Sequence, residues 1–201
     1  MILKNLNYPL EFKFKITTLA SDFNITDRNG NYVAYVRQKM FRLKEDVIVF
    51  SDESRTKELF NIKANQWIDF NASYMMTDLL TGKKFGSLAR KGMRSIWKAR
   101  YDIIDEKDKP IYQINEDNGW IKVFDSFVGE IPILGMLTGY FLNPSYTVMD
   151  NAGKAYFRLK KMPSLIGRRF QLERLIDIDD EDEFLIILSF LMMVLLERAR
   201  G

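Results

Sequence analysis

The C-terminal part of the chain constrains the fold most strongly. The segment Phe184–Leu196 is apolar except for Ser189, and the acidic segment Asp177–Glu183 comes directly before it. Leu and Met favour a helix, and carboxylates before it with arginines after it complement the helix dipole. We therefore expect a helix over about 181–198, apolar on every side and so buried all round. It is too short to cross a bilayer, which needs about 20 apolar residues. We expect no transmembrane segment, and a helix enclosed by its own protein.

Composition favours one globular domain over residues 1–201. The chain has 47% hydrophobic and 28% charged residues, enough to build a full core. It contains no Cys and no His, which excludes disulfides, thiolate chemistry, and the commonest general base and metal ligand. We therefore predict no cofactor and no metal site. The N-terminal residues 1–9 lack the apolar core of a signal peptide, so we expect a cytoplasmic protein.

Five segments share a hairpin pattern in which apolar residues lead to an Asp, then to small or charged residues, then to apolar alternation. An Asp at a strand end can accept hydrogen bonds from turn amides, and Gly supplies the positive φ that a reversal needs. The spacing of the first three copies permits an internal repeat, although any meander collects Asp and Gly at its turns. A further hairpin is predicted around Asn118–Gly119, joining Ile111–Ile114 to Trp120–Phe124. The aspartates of the five copies are Asp27, Asp52, Asp78, Asp105 and Asp150.

Many short strands and one apolar helix together predict a mainly β architecture. Closing an antiparallel sheet into a barrel removes its edge strands and gives the helix apolar walls on all sides. We therefore expect a closed antiparallel barrel with the C-terminal helix at its centre.

Several motifs resemble one known family. Tyr35–Leu43, followed by the strand Val47–Asp52, is similar to the opening signature of the LURP-one-related family. Ile131–Gly135, leading to Asn143–Tyr146, fits the same pattern, as do the Asp turns and the terminal helix. This family belongs to the tubby C-terminal-like superfamily, which includes the phospholipid scramblases. The resemblance covers most of the chain and implies a barrel of about twelve strands around a central hydrophobic helix.

The resemblance also directs attention to basic residues, because tubby domains bind phosphoinositides through a basic surface. The stretch between Leu79 and Tyr101 contains no carboxylate. If it forms a hairpin, alternation would place several of its charges on one outward face, suited to phosphate or anionic lipid headgroups. The alternative is an ordinary solvated face. The candidate anion-binding residues are Lys83, Lys84, Arg90, Lys91, Arg94, Lys98 and Arg100.

Two other ligand classes, and a functional role for one glycine-rich segment, are less well supported. Nucleic acid is not expected, since no known recognition motif occurs, and Trp97 and Tyr101 suit strand packing better than base stacking. Scramblases carry a proposed calcium-binding segment near their terminal helix, but an EF-hand loop would need Gly at Asp182 and Glu at Leu188. The glycine-rich segment Ile131–Leu142 could touch a membrane or line a pocket, although its glycines more often permit a bend.

The sequence gives little support to catalysis. No histidine can activate a serine, and no Gly-x-Ser-x-Gly elbow occurs. We therefore predict a non-enzymatic binding or regulatory domain that recognises phosphoinositide or other anionic headgroups, peripherally at a membrane. The alternatives are a protein-interaction module and an enzyme with a carboxylate or lysine site in a barrel-end cavity. The serines concerned are Ser51, Ser54, Ser87 and Ser95.

Overall fold

The computed structural model describes residues 6–15, 22–38, 46–64, 72–90, 100–117, 144–164 and 168–198. Within these residues the chain forms twelve β-strands and one α-helix. The strands are β1 Leu10–Phe14, β2 Phe23–Thr26, β3 Tyr32–Gln38, β4 Asp46–Phe50, β5 Glu58–Ala64, β6 Ser73–Asp78, β7 Lys84–Arg90, β8 Arg100–Ile104, β9 Pro110–Glu116, β10 Ser145–Asp150, β11 Ala155–Met162 and β12 Arg169–Arg174. The helix, α1, spans Asp180–Arg198.

The strands form a closed antiparallel barrel. Each strand pairs with the strands before and after it in the sequence, and β1 closes the ring against β12 with Leu10 opposite Leu172. Closure gives each of the twelve described strands a partner on both sides, whereas an open sheet would have to protect its edges. The predicted barrel of about twelve strands is confirmed.

The helix α1 fills the barrel. Every residue from Leu185 to Leu195 is at most 3% exposed, whichever way its side chain points. The polar residue of this segment, Ser189, donates its hydroxyl to the Leu185 carbonyl oxygen at 2.8 Å, so that it needs no partner from the wall. The strands present alternate residues to the helix, as in β12, where Phe170 and Leu172 point inward. The predicted central hydrophobic helix is confirmed.

The five Asp turns lie together at one end of the barrel, which we call the turn rim. They share this end because alternate connections of an antiparallel meander lie on the same side. Each of these aspartates accepts a hydrogen bond from the backbone amide two residues later, at 2.8–2.9 Å. Gly153, at a φ of 83°, completes one turn, and Asp108 takes the same left-handed conformation in another. A register shift beside each turn is typical of a hairpin closed by a bulge.

The predicted pairing of Ile111–Ile114 with Trp120–Phe124, across a turn at Asn118–Gly119, is wrong. One edge of β9 pairs with β8 and the other with β10, with Ile114 opposite Tyr101 and Val148. The predicted partner strand, Trp120–Phe124, lies outside the described residues.

Gly86 on β7 marks a very close approach between the wall and the helix. A Cβ atom at this position would lie 2.5 Å from Cδ1 of Leu185 and 2.7 Å from the Ile104 carbonyl oxygen. We expect Gly86→Ala to lower the free energy of unfolding by about 1–3 kcal/mol, the usual range for overpacking. Shortening Leu185 to Ala in the same chain should not restore it, because the Ile104 backbone cannot move away. Urea denaturation of the single and double variants measures this, and full rescue by the second change would contradict the backbone clash.

Because α1 is buried on all sides, we expect a charged residue introduced into it to destabilise the protein strongly. Leu188→Asp should abolish cooperative thermal unfolding, because burying an unpaired carboxylate costs several kcal/mol and native domains are stable by only about 5–15 kcal/mol. Leu188→Met keeps a similar apolar volume and should cost less than about 1.5 kcal/mol. Circular dichroism melts of both variants test this. A near wild-type transition in the Leu188→Asp variant would be incompatible with an enclosed helix.

Candidate anion-binding surface

The structure separates the predicted basic residues into two groups. Lys83 ends the turn before β7 and Lys84 begins that strand, whereas Arg90 ends β7 and Arg100 begins β8. A strand of seven residues is about 20 Å long. The two lysines therefore lie at the turn rim, and the two arginines lie at the opposite end, which we call the loop rim. The other members of the predicted set, Lys91, Arg94 and Lys98, lie in the chain between β7 and β8, outside the described residues.

The turn rim is predominantly acidic. Lys84 pairs there with the carboxylate of Asp108 in the neighbouring turn, so its charge is partly neutralised. The turns and the β12–α1 connection, counted with the strand residues that bound them and with the first turn of α1, contain fifteen carboxylates against nine cations. The carboxylates are Asp27, Asp52, Glu53, Glu58, Asp78, Asp105, Glu106, Asp108, Asp150, Asp177, Asp179, Asp180, Glu181, Asp182 and Glu183, and the cations are Arg28, Arg55, Lys57, Lys83, Lys84, Lys107, Lys109, Lys154 and Arg174.

The loop rim has the opposite charge. Its described strand ends, with the residues that flank them, carry nine cations against four carboxylates. Two of the carboxylates, Asp22 and Asp46, are at most 3% exposed, so they contribute little to the outer surface. The cations are Lys13, Lys15, Arg37, Lys63, Arg90, Arg100, Lys161, Arg168 and Arg169, and the carboxylates are Asp22, Asp46, Glu116 and Asp117.

Arg90 and Arg100 occupy neighbouring positions on different faces of the β7–β8 hairpin. Arg90 lies opposite Tyr101, which is fully buried and points toward α1. Arg100 points outward and donates from Nη2 to the Oε1 atom of Gln113 at 2.8 Å. At the loop rim, the Arg90 side chain therefore starts from the inner face of the sheet and the Arg100 side chain from its outer face. Tyr101 is part of the core and is not available to stack on a base, while Trp97 lies outside the described residues.

A second basic group at the loop rim was not predicted. Lys13 on β1 lies directly opposite Arg169 on β12, although the two strands are the first and the last in the sequence. Directly opposed like charges are unfavourable on a sheet. The charge of Arg169 is partly neutralised by Glu11, whose Oε1 atom lies 2.5 Å from Nε of Arg169. Sequence patterns could not reveal this group, because only the closure of β1 on β12 brings its members together.

The acidic segment before α1 has a structural role in the folded chain. Asp179 caps the helix, its Oδ1 atom accepting the amide of Asp182 at 3.0 Å. Tyr112 donates its hydroxyl to Asp182 at 2.6 Å, and Tyr8 donates to Glu183 at 2.7 Å. Burial and the hydrogen bond to Glu183 raise the pKa of the Tyr8 phenol far above its usual range. Burial also raises the pKa of Asp182, although the Tyr112 hydrogen bond opposes this.

These contacts fasten the helix to the wall of the barrel. Arg174 completes the set by donating to Glu183 at 3.1 Å. Ser54 precedes Lys57 at the Ser-x-x-Lys spacing, but its hydroxyl, like that of Ser51, donates to the carboxylate of Asp52. This arrangement is typical of a capped turn and not of an activated nucleophile. Among the residues with described positions, no three metal-ligating side chains converge on a common point.

The fold and surface define a class: a twelve-stranded antiparallel barrel around a central apolar helix, with oppositely charged ends. The family model of the LURP-one-related proteins matches residues 32–133, about half of the chain. The chain belongs to the LURP-one-related family, as its motifs indicated. Neither a curated protein nor a solved structure matches it. Within the described part of the chain, no helix combines the length and apolar character that crossing a bilayer requires.

The capped turns predict how stability depends on pH. Although desolvation opposes it, hydrogen bonds from Asn31 hold the pKa of Asp27 below its ordinary value of 3.8, and the Lys154 amide lowers that of Asp150. Around this value the unfolded chain binds more protons than the folded one, so folding stability is lost as pH falls. We expect the melting temperature to drop between about pH 5 and pH 3, and less steeply in Asp150→Asn, where no carboxylate can titrate. Calorimetry across this range measures both slopes, and identical slopes would contradict a contribution from Asp150.

Proposed function

We propose that this protein is a non-enzymatic binding module that recognises anionic lipid headgroups, phosphoinositides among them, through the loop rim. The observation that carries the proposal is the charge separation between the two ends of the barrel. A net positive end would face an anionic membrane, while the acidic turn rim would be directed away from it. The proposal includes a cytoplasmic location at a membrane surface.

The proposed binding residues are a subset of the basic stretch. Arg90 and Arg100 flank the β7–β8 hairpin, and the chain between them adds Lys91, Arg94 and Lys98 without any carboxylate. Guanidinium groups suit phosphate oxygens because their planar donors can form two parallel hydrogen bonds. Lys83 and Lys84 are not included, because they lie at the other rim and Lys84 is paired with Asp108.

Two features support a binding role over catalysis. The barrel interior, where many barrels hold a ligand, is filled by the side chains of α1. Asp182 and Glu183, two carboxylates of the turn rim that accept hydrogen bonds from tyrosine hydroxyls, anchor the helix. A protein partner at the loop rim is the competing proposal, and the following experiment separates the two.

Liposome flotation tests the lipid proposal. At low salt the protein should float with liposomes containing phosphatidylinositol phosphates and remain below neutral phosphatidylcholine liposomes. Binding should weaken as salt rises, because charges are screened over about 8 Å at physiological ionic strength. Replacing the five proposed residues with Gln should abolish flotation, and a cooperative thermal transition of the same variant checks that the loss is not caused by unfolding.

A charge-matched variant at the turn rim provides the control. Five exposed cations there, changed to Gln, remove the same number of charges from the acidic end, and flotation should persist. Equal loss in both variants would show attraction by net charge alone and would overturn the assignment to the loop rim. Failure to float at low salt would favour a protein partner. The control positions are Arg55, Lys57, Lys83, Lys107 and Lys109.

A further inference from the structure

Two exposed leucines distinguish the β6–β7 turn from the other four Asp turns. Leu79 and Leu80 follow Asp78, and they are 38% and 53% exposed. A turn of this kind needs only the Asp and a residue that tolerates a positive φ, which Gly82 supplies here. The turn itself therefore does not require the leucines. At the same two positions the other turns carry polar or small residues, namely Arg28–Asn29, Glu53–Ser54, Glu106–Lys107 and Asn151–Ala152.

The leucines lie beside a second apolar group at this end of the barrel. Phe184, near the start of α1, packs against Phe60 and Phe85, with ring centres 4.9 and 6.1 Å away. Phe85 and Phe184 are only partly buried. Phe60 lies directly opposite Asp78, the residue before Leu79, so the turn begins next to this group. Exposed apolar patches usually mark interaction surfaces, and we call this part of the turn rim the leucine sector.

The first turn of α1 adds carboxylates to the leucine sector. Asp180 and Glu181 precede Phe184 by four and three residues, a spacing that places all three on one side of the helix. Both carboxylates are exposed, and within the described part of the chain neither has a cationic partner. They are therefore available to pair with a cation that approaches the leucines.

The β8–β9 turn brings more negative charge to the same place. Its Asp108 pairs with Lys84 at the start of β7, which holds this turn beside the β6–β7 turn. Burial raises the pKa of Asp182 on α1, and the nearby charges of Asp105 and Glu106 raise it further. Carboxylates of the turn and of the helix are thus close enough to repel one another, and a cation would relieve that repulsion.

The charge balance of the leucine sector determines which charge a partner must carry. Residues 78–84, 105–109 and 179–182 contain eight carboxylates against four cations. A segment with positive charge is attracted to such a surface, whereas an acidic one is repelled. An amphipathic helix combines an apolar stripe with charged residues on either side of it, which is the combination that this surface complements.

From these contacts we infer that the leucine sector docks a basic amphipathic helix of a partner protein. The apolar stripe of that helix packs on Leu79 and Leu80. Its lysines or arginines pair with Asp180, Glu181 and Glu106. The inference is independent of the lipid proposal, which concerns different residues at the opposite end of the barrel.

A synthetic peptide of about 18 residues, or five turns of helix, tests the inference. Its leucines are spaced three and four residues apart and its other residues are lysines, so that one face is apolar. Fluorescence anisotropy of the labelled peptide should show saturable binding at about 0.15 M salt. Peptides with glutamate in place of lysine, or serine in place of leucine, should bind at least about tenfold more weakly, because each lacks one of the two contacts.

Replacing both leucines of the turn with Ser tests the apolar contact. The double variant, Leu79→Ser with Leu80→Ser, should bind the peptide at least about tenfold more weakly, because it buries less apolar surface in the complex. Leu175→Ser is the matched control and should leave the affinity unchanged. Leu175 is 42% exposed on the same rim, but it follows β12, which lies six strands from β6 around the ring. Thermal melts of both variants check that each is folded.

A second pair of variants tests the charged contact. Asp180→Asn should weaken binding of the lysine peptide about two- to fivefold, the usual range for one exposed ion pair. Asp177→Asn removes a carboxylate that is 92% exposed and lies beside Arg174, away from the leucine sector. This variant should bind the peptide as the wild type does.

The outcomes separate a specific surface from general attraction to an acidic rim. Loss of binding in the double leucine variant, with retention in Leu175→Ser, supports the leucine sector. Equal loss in both would overturn it, as would tight binding of the glutamate peptide. An absence of saturable binding at about 100 μM protein, on the order of ten times a Kd of about 10 μM, would also overturn it.

Sedimentation of the protein alone tests the other possible occupant, a second copy of the chain. The partner-helix inference expects a monomer both in the wild type and in the double leucine variant. A wild-type dimer that the two serine changes dissociate would show that a second copy covers the leucine sector, and would overturn the inference.

Discussion

Enclosure of a helix that is apolar on every side is the constraint on which the rest of the structure depends. A helix of this kind cannot lie on a surface, where one face would meet water. The wall must therefore surround it, and a closed sheet offers apolar residues in every direction without leaving unpaired edges. Gly86 shows how closely the two are fitted, since the wall leaves no room there for a methyl group beside Leu185.

Filling the barrel with its own helix moves any binding function to the outside or to the ends. The ends differ because of how the chain is connected. The turn rim contains the short Asp turns and the acidic start of α1. The carboxylates there cap the helix and interact favourably with the positive end of its dipole. The loop rim collects lysines and arginines from several strands. The resulting polarity is a consequence of meander topology acting on a chain whose formal net charge is only +3.

The start of α1 links parts of the chain that are distant in sequence. Glu183 accepts hydrogen bonds from Tyr8, which precedes β1, and from Arg174, which ends β12. These bonds close the seam between the first and last strands at the turn rim. They also form one wall of an open groove that is lined by residues 6–8, 28–29 and 174–177.

Local chemistry explains which features could be predicted from the sequence. A segment that is apolar except for Ser189 indicates a helix that must be buried, and an Asp followed by Gly or another residue in the left-handed conformation indicates a tight turn, because both signals lie in neighbouring residues. The family resemblance also rested on short segments of sequence, and the family model matches residues 32–133. The positions of charges relative to one another depended on the tertiary structure. The length of β7 separates Lys84 from Arg90, closure places Lys13 against Arg169, and three distant stretches meet around Arg28. The ends of each strand and the pairing between strands decided these positions, because no local pattern specifies which strand ends will meet when a sheet closes.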